Sequence, residues 1–262
     1  MPILEDTLPV NLYPLTWVLP SNRLFMQVGW RAQFFDYNTF TETRLPNITG
    51  GVRVYPASAA TAMLPLTPAN NYTATILFCG GTNLQDDQWA DVNMTKVLTV
   101  MTQVPAIQSC VSITPDTDAT WVDEDDLPEG RTMANFIMLP DQTMFLCNGA
   151  LMGTAGYGND TWSIGESYAD KPVYNPWIYD PSKPKGSRFT NEGLSSSTIA
   201  RMYHSTATLL PDGSVMVAGS SPHADVVLQT TYPTEYRIER FYPWYYSKTR
   251  EFVSLYLMVC DG

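Results

Sequence analysis

The chain has 262 residues, a formal net charge of −11 and an isoelectric point near 4.5, with 15 Lys and Arg against 26 Asp and Glu. This acidic balance argues against a nucleic-acid-binding surface and against binding to an anionic membrane. No run approaches the ~18 apolar residues of a membrane span, so none is predicted. The first residues carry neither a basic region nor an apolar stretch, so no signal peptide is predicted.

One phrase recurs four times along the chain: a strand, a turn that contains proline, a second apolar strand and then glycine. The copies occupy residues 13–29, 53–81, 131–149 and 201–219. In the last copy the turn is Pro211, Asp212 and Gly213. Proline presets the turn dihedral, aspartate can bond its own backbone, and glycine accepts a positive φ. The phrase therefore predicts a repeated β-hairpin, with the first strand of the second copy at residues 53–58.

Further strand signals follow two of the copies. Residues 32–38 and 41–45 follow the first copy, and residues 177–181 and 187–189 follow the third. Four strands per repeat, with a glycine ending the second strand and an aromatic residue in the third, are typical of a kelch-type β-propeller blade. The alternative, a β-sandwich of unrelated hairpins, is disfavoured by four aligned copies. The wide spacing between copies predicts loops at the blade edges.

Two segments are predicted to be such loops. Residues 116–130 include four consecutive acidic residues at 123–126, which could bind calcium but lack the glycine-centred spacing of a calcium loop. A solvent-exposed acidic loop is the preferred interpretation. Residues 149–158 are glycine-rich but lack the spacing of a phosphate-binding loop. Tyr157 in this second loop either lines a site or packs as a loop aromatic, and packing is preferred.

The four cysteines form no Cys-x-x-Cys pair, so a structural zinc site is not expected. Cys79 and Cys110 are the candidate disulfide if the compartment is oxidising. Cys147 lies in an apolar strand and is predicted to be a buried thiol.

Asn-x-Ser/Thr sequons, which can carry N-linked glycans, lie in or beside turn-like segments. They occur at Asn47, Asn71, Asn93 and Asn159. Together with the low lysine content and acidic charge, they are consistent with a secreted protein.

Four phrases carry a resemblance to a known family. They are Asn-Leu-Tyr-Pro-Leu-Thr-Trp at 11–17, Gly-Val-Arg-Val-Tyr-Pro-Ala-Ser at 51–58, Gly-Thr-Ala-Gly-Tyr-Gly at 153–158 and Arg-Met-Tyr-His-Ser at 201–205. From about residue 8 to residue 244, the chain resembles the middle part of fungal glyoxal oxidases, copper radical oxidases related to galactose oxidase. The resemblance implies about four blades of a seven-bladed propeller, truncated at both ends, over residues 1–247. Residues 248–262 do not resemble the family and are predicted to be an atypical tail.

The resemblance also implies a chemistry. In that family one copper ion is held by two tyrosines and two histidines, and one tyrosine, joined to a cysteine by a thioether, carries a free radical. Small aldehydes are oxidised to carboxylic acids, and O₂ is reduced to hydrogen peroxide outside the cell. By their place in the Arg-x-Tyr-His-Ser phrase, Tyr203 would be the tyrosine that accepts the substrate proton and His204 a copper ligand.

Tyr203 and His204 are adjacent in sequence, and this restricts where in a strand both could bind one metal. Neighbouring residues of a strand point to opposite faces. Tyr203 and His204 can therefore reach one metal only where the strand starts and its backbone is twisted. Copper suits imidazole and phenolate ligands. We thus expect the two rings to approach a common point near the propeller axis.

The rest of the copper site is expected outside these 262 residues, with the thioether pair in preceding blades and the second histidine in a following β-domain. Cys79 is interpreted as structural, because the next Arg-x-Tyr position holds Met133 instead of tyrosine. His223, the other histidine, is either a replacement ligand or an exposed loop residue, and the exposed loop residue is preferred.

Two functions follow. The first is a fragment of a secreted aldehyde oxidase, inactive as this chain alone. The alternative is a propeller without catalysis that binds carbohydrate or protein.

Overall fold

The computed structural model describes residues 1–91 and 100–246 and the backbone of one further strand, Phe252–Leu255. Within these residues the fold is all-β. Helix is confined to α1 (Pro2–Asp6), α2 (Asp86–Trp89) and short 3₁₀ turns at Pro68–Asn70 and Met101–Gln103. The all-β fold predicted from the repeated hairpins is confirmed.

The strands of the described residues form four antiparallel sheets of four strands each, and one strand pair is inserted within the sequence of the third sheet. The first sheet contains β1 (Leu15–Val18), β2 (Leu24–Val28), β3 (Arg31–Asp36) and β4 (Thr41–Leu45). The second contains β5 (Ala60–Met63), β6 (Ile76–Cys79), β7 (Cys110–Thr114) and β8 (Asp118–Asp123). In both sheets the strands follow one another in chain order.

The third sheet contains β9 (Asn135–Met138), β10 (Met144–Cys147), β13 (Trp177–Tyr179) and β14 (Phe189–Thr190). The inserted pair is β11 (Ala150–Tyr157) and β12 (Ser167–Pro172), which we call the inserted hairpin. The fourth sheet contains β15 (Ser205–Leu209), β16 (Val215–Gly219), β17 (Ile238–Phe241) and β18 (Phe252–Leu255). Each sheet therefore begins with one of the four hairpin copies.

Successive sheets pack face to face. Phe78 of β6 shares a buried cluster with Phe25 of the first sheet, whereas its neighbour Leu77 faces the third sheet. Phe145 of the third sheet stacks on Phe241 of the fourth, with ring centroids 4.2 Å apart. The second and third sheets are thus covered on both faces by their neighbours in sequence, as propeller blades are. A total of seven blades stays a prediction.

The proline-containing turns form as their residues predict. The side chain of Asp141 accepts a hydrogen bond from the backbone N–H of Thr143 at 3.2 Å. Asp212 accepts the equivalent bond from Ser214 at 3.0 Å. Gly213 has φ of 84°, a conformation that glycine adopts without steric cost. These local bonds stabilise the turns that join the paired strands.

A left-handed residue other than glycine precedes the first strand of every sheet. These residues are Tyr13, Ser58, Met133 and His204, with φ of 53°, 52°, 58° and 60°. Each turns the chain sharply just before it enters the sheet. This corrects the prediction of a strand at 53–58: the strand begins at Ala60, because a left-handed backbone cannot continue an extended one.

Three buried arginines lie near these entry points: Arg53, Arg131 and Arg201. Arg53 donates to the carbonyl of Gly80, and Arg201 donates to that of Gly219 at 2.7 Å. In both copies the acceptor is at the glycine that follows the apolar residues of the second strand. Arg53 and Arg201 therefore tie the entry of a sheet to the end of its second strand, whereas Arg131 donates to Glu129 and to the carbonyl of Asn175.

Two predicted loops contain strands instead. Residues 116–130 include β8, whose Trp121 packs against the cluster between the first two sheets. The glycine-rich segment 149–158 forms β11, which pairs with β12 and changes register between Gly153 and Tyr157. Glycine in a strand permits such a bulge, so a glycine-rich run need not be a loop.

Cys79 and Cys110 are directly opposite each other on β6 and β7 and form a disulfide bond. This bond agrees with the structural role predicted for Cys79. Cys147 is buried, and burial raises the pKa of its thiol to about 12.

The segment 248–262 lies outside the described residues except for the backbone of β18, which pairs with β17. Asn93 also lies outside them. Across the part of the chain that the structure describes, no helix is both long and apolar enough to cross a membrane.

Candidate functional site

Tyr203 and His204 lie side by side immediately before β15. Their rings stack, with centroids 3.8 Å apart and an angle of 27° between the ring planes. His204 is exposed, and Tyr203 is partly buried. The two side chains therefore lie on the same side of the backbone, as the copper-site interpretation requires.

The backbone explains how adjacent residues achieve this. In an extended strand the two side chains would point to opposite faces. The left-handed φ of 60° at His204 breaks the alternation one residue before the strand begins. The stack is thus a consequence of the entry turn that all four sheets share. Metal binding by the pair stays a prediction.

The peptide groups of Ser221 hold both residues. The N–H of Ser221 donates to the carbonyl of Tyr203 at 2.9 Å. The carbonyl of Ser221 lies 2.9 Å from Nδ1 of His204. Because a carbonyl can only accept, Nδ1 must carry the hydrogen. The lone pair of the neutral ring is then on Nε2, which is the arrangement common in metal-binding histidines.

Arg201 anchors the segment that carries the pair. Its side chain donates to the carboxylate of Glu239 at 2.8 Å and to the carbonyl of Gly219 at 2.7 Å. The backbone N–H of Met202 donates to the side chain of Ser220 at 3.0 Å. Residues 201 and 202, which directly precede the pair, are therefore hydrogen-bonded to β16, to β17 and to Ser220.

Other tyrosines surround the pair. Tyr55 and Tyr157 have ring centroids 6.4 and 6.2 Å from that of Tyr203, and Tyr157 is also 6.2 Å from His204. Tyr13 meets Tyr55 edge to face at 5.2 Å. We call these five side chains the aromatic group. Three segments far apart in sequence contribute to it besides residues 203 and 204.

This surrounding changes the acidity of Tyr203. Burial, followed by the neighbouring hydroxyl of Tyr55 and then those of Tyr13 and Tyr157, raises the pKa of Tyr203 to about 12. The phenol is therefore protonated near neutral pH. It would act as a phenolate only with a cation close to its oxygen.

The inserted hairpin places Tyr157. The N–H of Ala155 donates to the carbonyl of Pro56 at 3.0 Å, and the hydroxyl of Thr154 donates to the same carbonyl. These bonds join β11 to the residue next to Tyr55. The preferred interpretation of Tyr157 as a loop aromatic is corrected: it lies on a strand and contacts both candidate ligands.

The interpretation of His223 as an exposed loop residue is wrong. The residue is 5% exposed. Its Nε2 lies 2.7 Å from the carbonyl of Tyr232, and its Nδ1 lies 3.1 Å from the carboxylate of Glu166. Burial is possible because the Tyr232 carbonyl accepts from Nε2–H and the Glu166 carboxylate lies against the other ring nitrogen. The same contacts occupy both nitrogens, so His223 has no nitrogen left for a metal in this arrangement.

The acidic segment is not simply solvated. Glu124 pairs with Arg188. Asp125 accepts hydrogen bonds from the backbone N–H groups of Gly186 and Arg188 at 2.6 and 3.0 Å. Both carboxylates therefore bind the loop between β13 and β14, and the preference for a solvent-exposed segment holds only for Asp123 and Asp126, which are exposed.

Three predicted glycan acceptors are described: Asn47, Asn71 and Asn159, and all three are exposed. Their side chains are accessible to a modifying enzyme. Glycosylation itself stays a prediction.

The side chains of Tyr203 and His204 can be compared with the ligand types that copper binds. A neutral imidazole with a free Nε2 and a phenol beside it are ligand types that copper takes. Within the described ranges, no group of three or more His, Cys, Asp or Glu side chains is placed to hold a metal. Tyr203 and His204 are of the right chemical type for two copper ligands, and their binding of copper stays a prediction. The pair was predicted from the Arg-x-Tyr-His-Ser phrase. Of the residues around it, the sequence raised Tyr157 as one that could line a site, although packing was preferred. Tyr13, Tyr55 and Ser221 were not identified from the sequence as part of the site.

A family model described as Glyoxal oxidase N-terminus matches residues 2–245. "Putative aldehyde oxidase Art an 7" of Artemisia annua is 38% identical over 240 residues, which are 90% of this chain and 38% of that protein. "Aldehyde oxidase GLOX" of Vitis pseudoreticulata is 36% identical over 244 residues, 92% of this chain and 42% of that protein. The chain thus spans about two fifths of the length of these curated relatives.

Among solved structures, the chain is similar to one titled "Novel fungal alcohol oxidase with catalytic diversity among the AA5 family, in complex with copper". The TM-score is 0.49 at 13% identity, over 85% of this chain and 50% of that one.

Proposed function

The chain belongs to the glyoxal oxidase N-terminus family, and we propose that it is part of a copper radical oxidase that oxidises small aldehydes to carboxylic acids and reduces O₂ to hydrogen peroxide. The observation that carries the proposal is the stacked pair of Tyr203 and His204, with Nδ1 of His204 bound to a carbonyl. Two curated relatives are named as aldehyde oxidases, which supports the substrate class.

The roles of the residues follow from their environment. His204 would bind copper through Nε2, and Ser221 would hold the ring in the required tautomer. Tyr203 would supply a phenol oxygen, which gives up its proton beside the cation and then takes the proton of the substrate. Copper, when bound, would supply the one-electron chemistry with oxygen. Tyr55 and Tyr157 would exclude water from one side of the pair.

The 262 residues alone would not turn over substrate. Tyr203 and His204 provide two donors, and both nitrogens of the other histidine are occupied. Cys79 is bonded to Cys110, so it is not available to modify a tyrosine. A complete copper site would need further donors and a radical-bearing side chain in addition to this pair.

Copper binding is the first test. Cu(II) is titrated into the 262-residue chain and followed by electron paramagnetic resonance, with nitrogen coupling from one imidazole expected. His204→Asn and Tyr203→Phe should each weaken binding, His204→Asn by about a hundredfold or more, beyond the effect of losing an outer-shell partner. Tyr72→Phe, at an exposed tyrosine, is the matched control for Tyr203→Phe.

Activity is the second test. Peroxide formation from glyoxal and methylglyoxal is measured for the chain alone and for the chain joined to the remaining N- and C-terminal regions of a curated relative. Peroxide from the joined protein alone, lost in Tyr203→Phe, is expected. Turnover by the chain alone would require a different ligand set. A joined protein that binds oligosaccharide but neither copper nor aldehyde would favour the binding-module alternative.

We also propose that the protein is extracellular. A disulfide between Cys79 and Cys110 is stable in an oxidising compartment, and the exposed sequons could carry glycans. Expression in a secreting eukaryotic host tests this. A shift in electrophoretic mobility after endoglycosidase treatment is expected, and a chain without glycans would count against it.

A further inference from the structure

One loop holds both candidate ligands although it contributes no ligand itself. This loop, residues 220–235, follows β16, and we call it the Ser221 loop. Ser221 donates to the carbonyl of Tyr203 and accepts from Nδ1 of His204, each at 2.9 Å. The orientation of the His204 ring therefore depends on where the Ser221 carbonyl is held.

The Ser221 loop is closed by Thr234. The hydroxyl groups of Thr234 and Ser221 lie 3.1 Å apart. The same Thr234 hydroxyl accepts a bond from the N–H of Val227 at 3.1 Å, and the N–H of Thr234 donates to the carbonyl of Val227 at 2.8 Å. One side chain thus joins the start, middle and end of the loop.

His223 fastens the closed loop to the inserted hairpin. Its Nε2 bonds the carbonyl of Tyr232 within the loop, and its Nδ1 faces the carboxylate of Glu166, between β11 and β12. The hydroxyl of Tyr232 donates to Asp170 on β12 at 2.5 Å. Because His223 is buried, loss of its ring would leave the Glu166 and Tyr232 acceptors without their partner.

We propose that His223 and Thr234 are positioning residues that act through Ser221 to hold the His204 ring with Nε2 free for a metal. Neither side chain touches His204. The role of His204 as a metal ligand rests on the proposed function. The orientation of its ring by the Ser221 carbonyl does not. The inserted hairpin then has two connections to the pair: Tyr157 directly, and Glu166 through the Ser221 loop.

The test uses the 262-residue chain, labelled with ¹⁵N. Because the sequence has two histidines, long-range ¹H–¹⁵N spectra show two imidazoles, and each tautomer can be assigned. In the wild type, His204 should be in the Nδ1–H tautomer. In Thr234→Val and His223→Gln it should shift toward the Nε2–H tautomer that an unconstrained imidazole favours. Thr231→Val, an exposed site in the same loop, is the matched control and should leave the tautomer unchanged.

A metal titration adds a second readout. Thr234→Val and His223→Gln should weaken Cu(II) binding about tenfold, the lower end of the effect of losing an outer-shell partner, and Thr231→Val should not. Glu166→Gln tests the same connection with almost no change in side-chain volume, in case His223→Gln does not fold.

The two proposals fail differently. If the His204 tautomer in folded Thr234→Val and Glu166→Gln equals that of the wild type, the positioning role is wrong, whether or not copper binds. If the tautomer shifts in these variants but the wild type binds no copper, the positioning role stands and the proposed function is wrong.

Discussion

At the scale of single residues, the site depends on a backbone conformation that most residues avoid. A left-handed φ at a residue other than glycine costs roughly 1 kcal/mol or more. His204 adopts it together with the equivalent residues of the other sheets. The stacking of its ring on Tyr203 and the bond of its Nδ1 to the Ser221 carbonyl both depend on the direction that this conformation gives the side chain.

Tyr55 should control the acidity of Tyr203. Burial is the first cause that raises the pKa of Tyr203 to about 12, and the Tyr55 hydroxyl is the second. Tyr55→Phe keeps the ring but removes the hydroxyl, so the pKa of Tyr203 should fall toward its ordinary value of 10.0. Titration of ¹³C-labelled tyrosine by NMR measures it. An unchanged pKa in Tyr55→Phe would contradict the assignment, and Tyr72→Phe should have no effect.

The raised pKa of Tyr203 also determines whether the free energy of unfolding rises or falls with pH. The fold favours the protonated phenol of Tyr203, so this contribution is fully present below pH 10 and is lost as pH rises through about 12. The loss of stability over this range should be smaller in Tyr203→Phe than in the wild type. Urea unfolding at several pH values measures the difference, and equal slopes for the two proteins would argue against it.

Arg201 should be intolerant of lysine. Its guanidinium donates in several directions at once, to Glu239 and to two backbone carbonyls, and it is 2% exposed. Lysine has one nitrogen and cannot satisfy this geometry. Arg201→Lys should therefore cost about 3 kcal/mol in the free energy of unfolding. Arg237→Lys, at a side chain that is 45% exposed, should change it by less than about 0.5 kcal/mol. Equal effects of the two changes would disprove the anchoring role.

At the scale of elements, the hairpin is the unit from which the protein is built. Its strands have apolar residues, and in the third and fourth sheets its turn is stabilised by an Asp side chain that bonds the backbone two residues later. The second and third strands of each sheet supply most of the buried surface. β6 and β10 are buried along their whole length. The entry turn, by contrast, carries the polar and aromatic side chains that form the site.

The disulfide joins two of these central strands. It closes a separation of 31 residues and restricts the unfolded chain. A Cys79→Ala, Cys110→Ala double variant should lose about 3 kcal/mol of unfolding free energy. Chemical denaturation with and without a reducing agent measures this. Reductant should destabilise the wild type but leave the double variant unchanged, and a similar response in both would mean that the bond is not what stabilises the strands.

At the scale of the whole molecule, the sheets depend on one another. The first and second sheets share one buried cluster, the second and third another, and the third and fourth a further one. Removing apolar volume from one of these layers therefore weakens two sheets together.

Phe78 tests this dependence. It is fully buried and contacts Trp17 of the first sheet, with ring centroids 5.5 Å apart. Phe78→Ala should cost about 3–5 kcal/mol, because a cavity forms between two sheets. Val18→Ala, where the side chain is 65% exposed, should cost far less. Hydrogen exchange should show lost protection in both β2 and β6. Loss confined to β6 would mean that the sheets unfold separately.

The sequence alone determined the hairpins and the class of fold, because apolar alternation, Pro-Asp turns and terminal glycines act over a few residues. It also singled out Tyr203 and His204, through one short phrase, and Cys79 with Cys110. The prediction from sequence was wrong where the same local pattern is compatible with both a loop and a strand. Glycine-rich residues 149–158 formed a strand, since pairing with β12 absorbs the bulge.

Only the tertiary structure decided what surrounds the pair. Tyr13, Tyr55 and Tyr157 come from three distant segments, and no local pattern relates them to residue 203. The burial of His223 depends on acceptors at Glu166 and Tyr232, one of them 57 residues away. Such contacts arise when separate sheets and an inserted hairpin meet in space. Periodicity in one strand carries no information about them, because it reports only which face is buried and not what covers it.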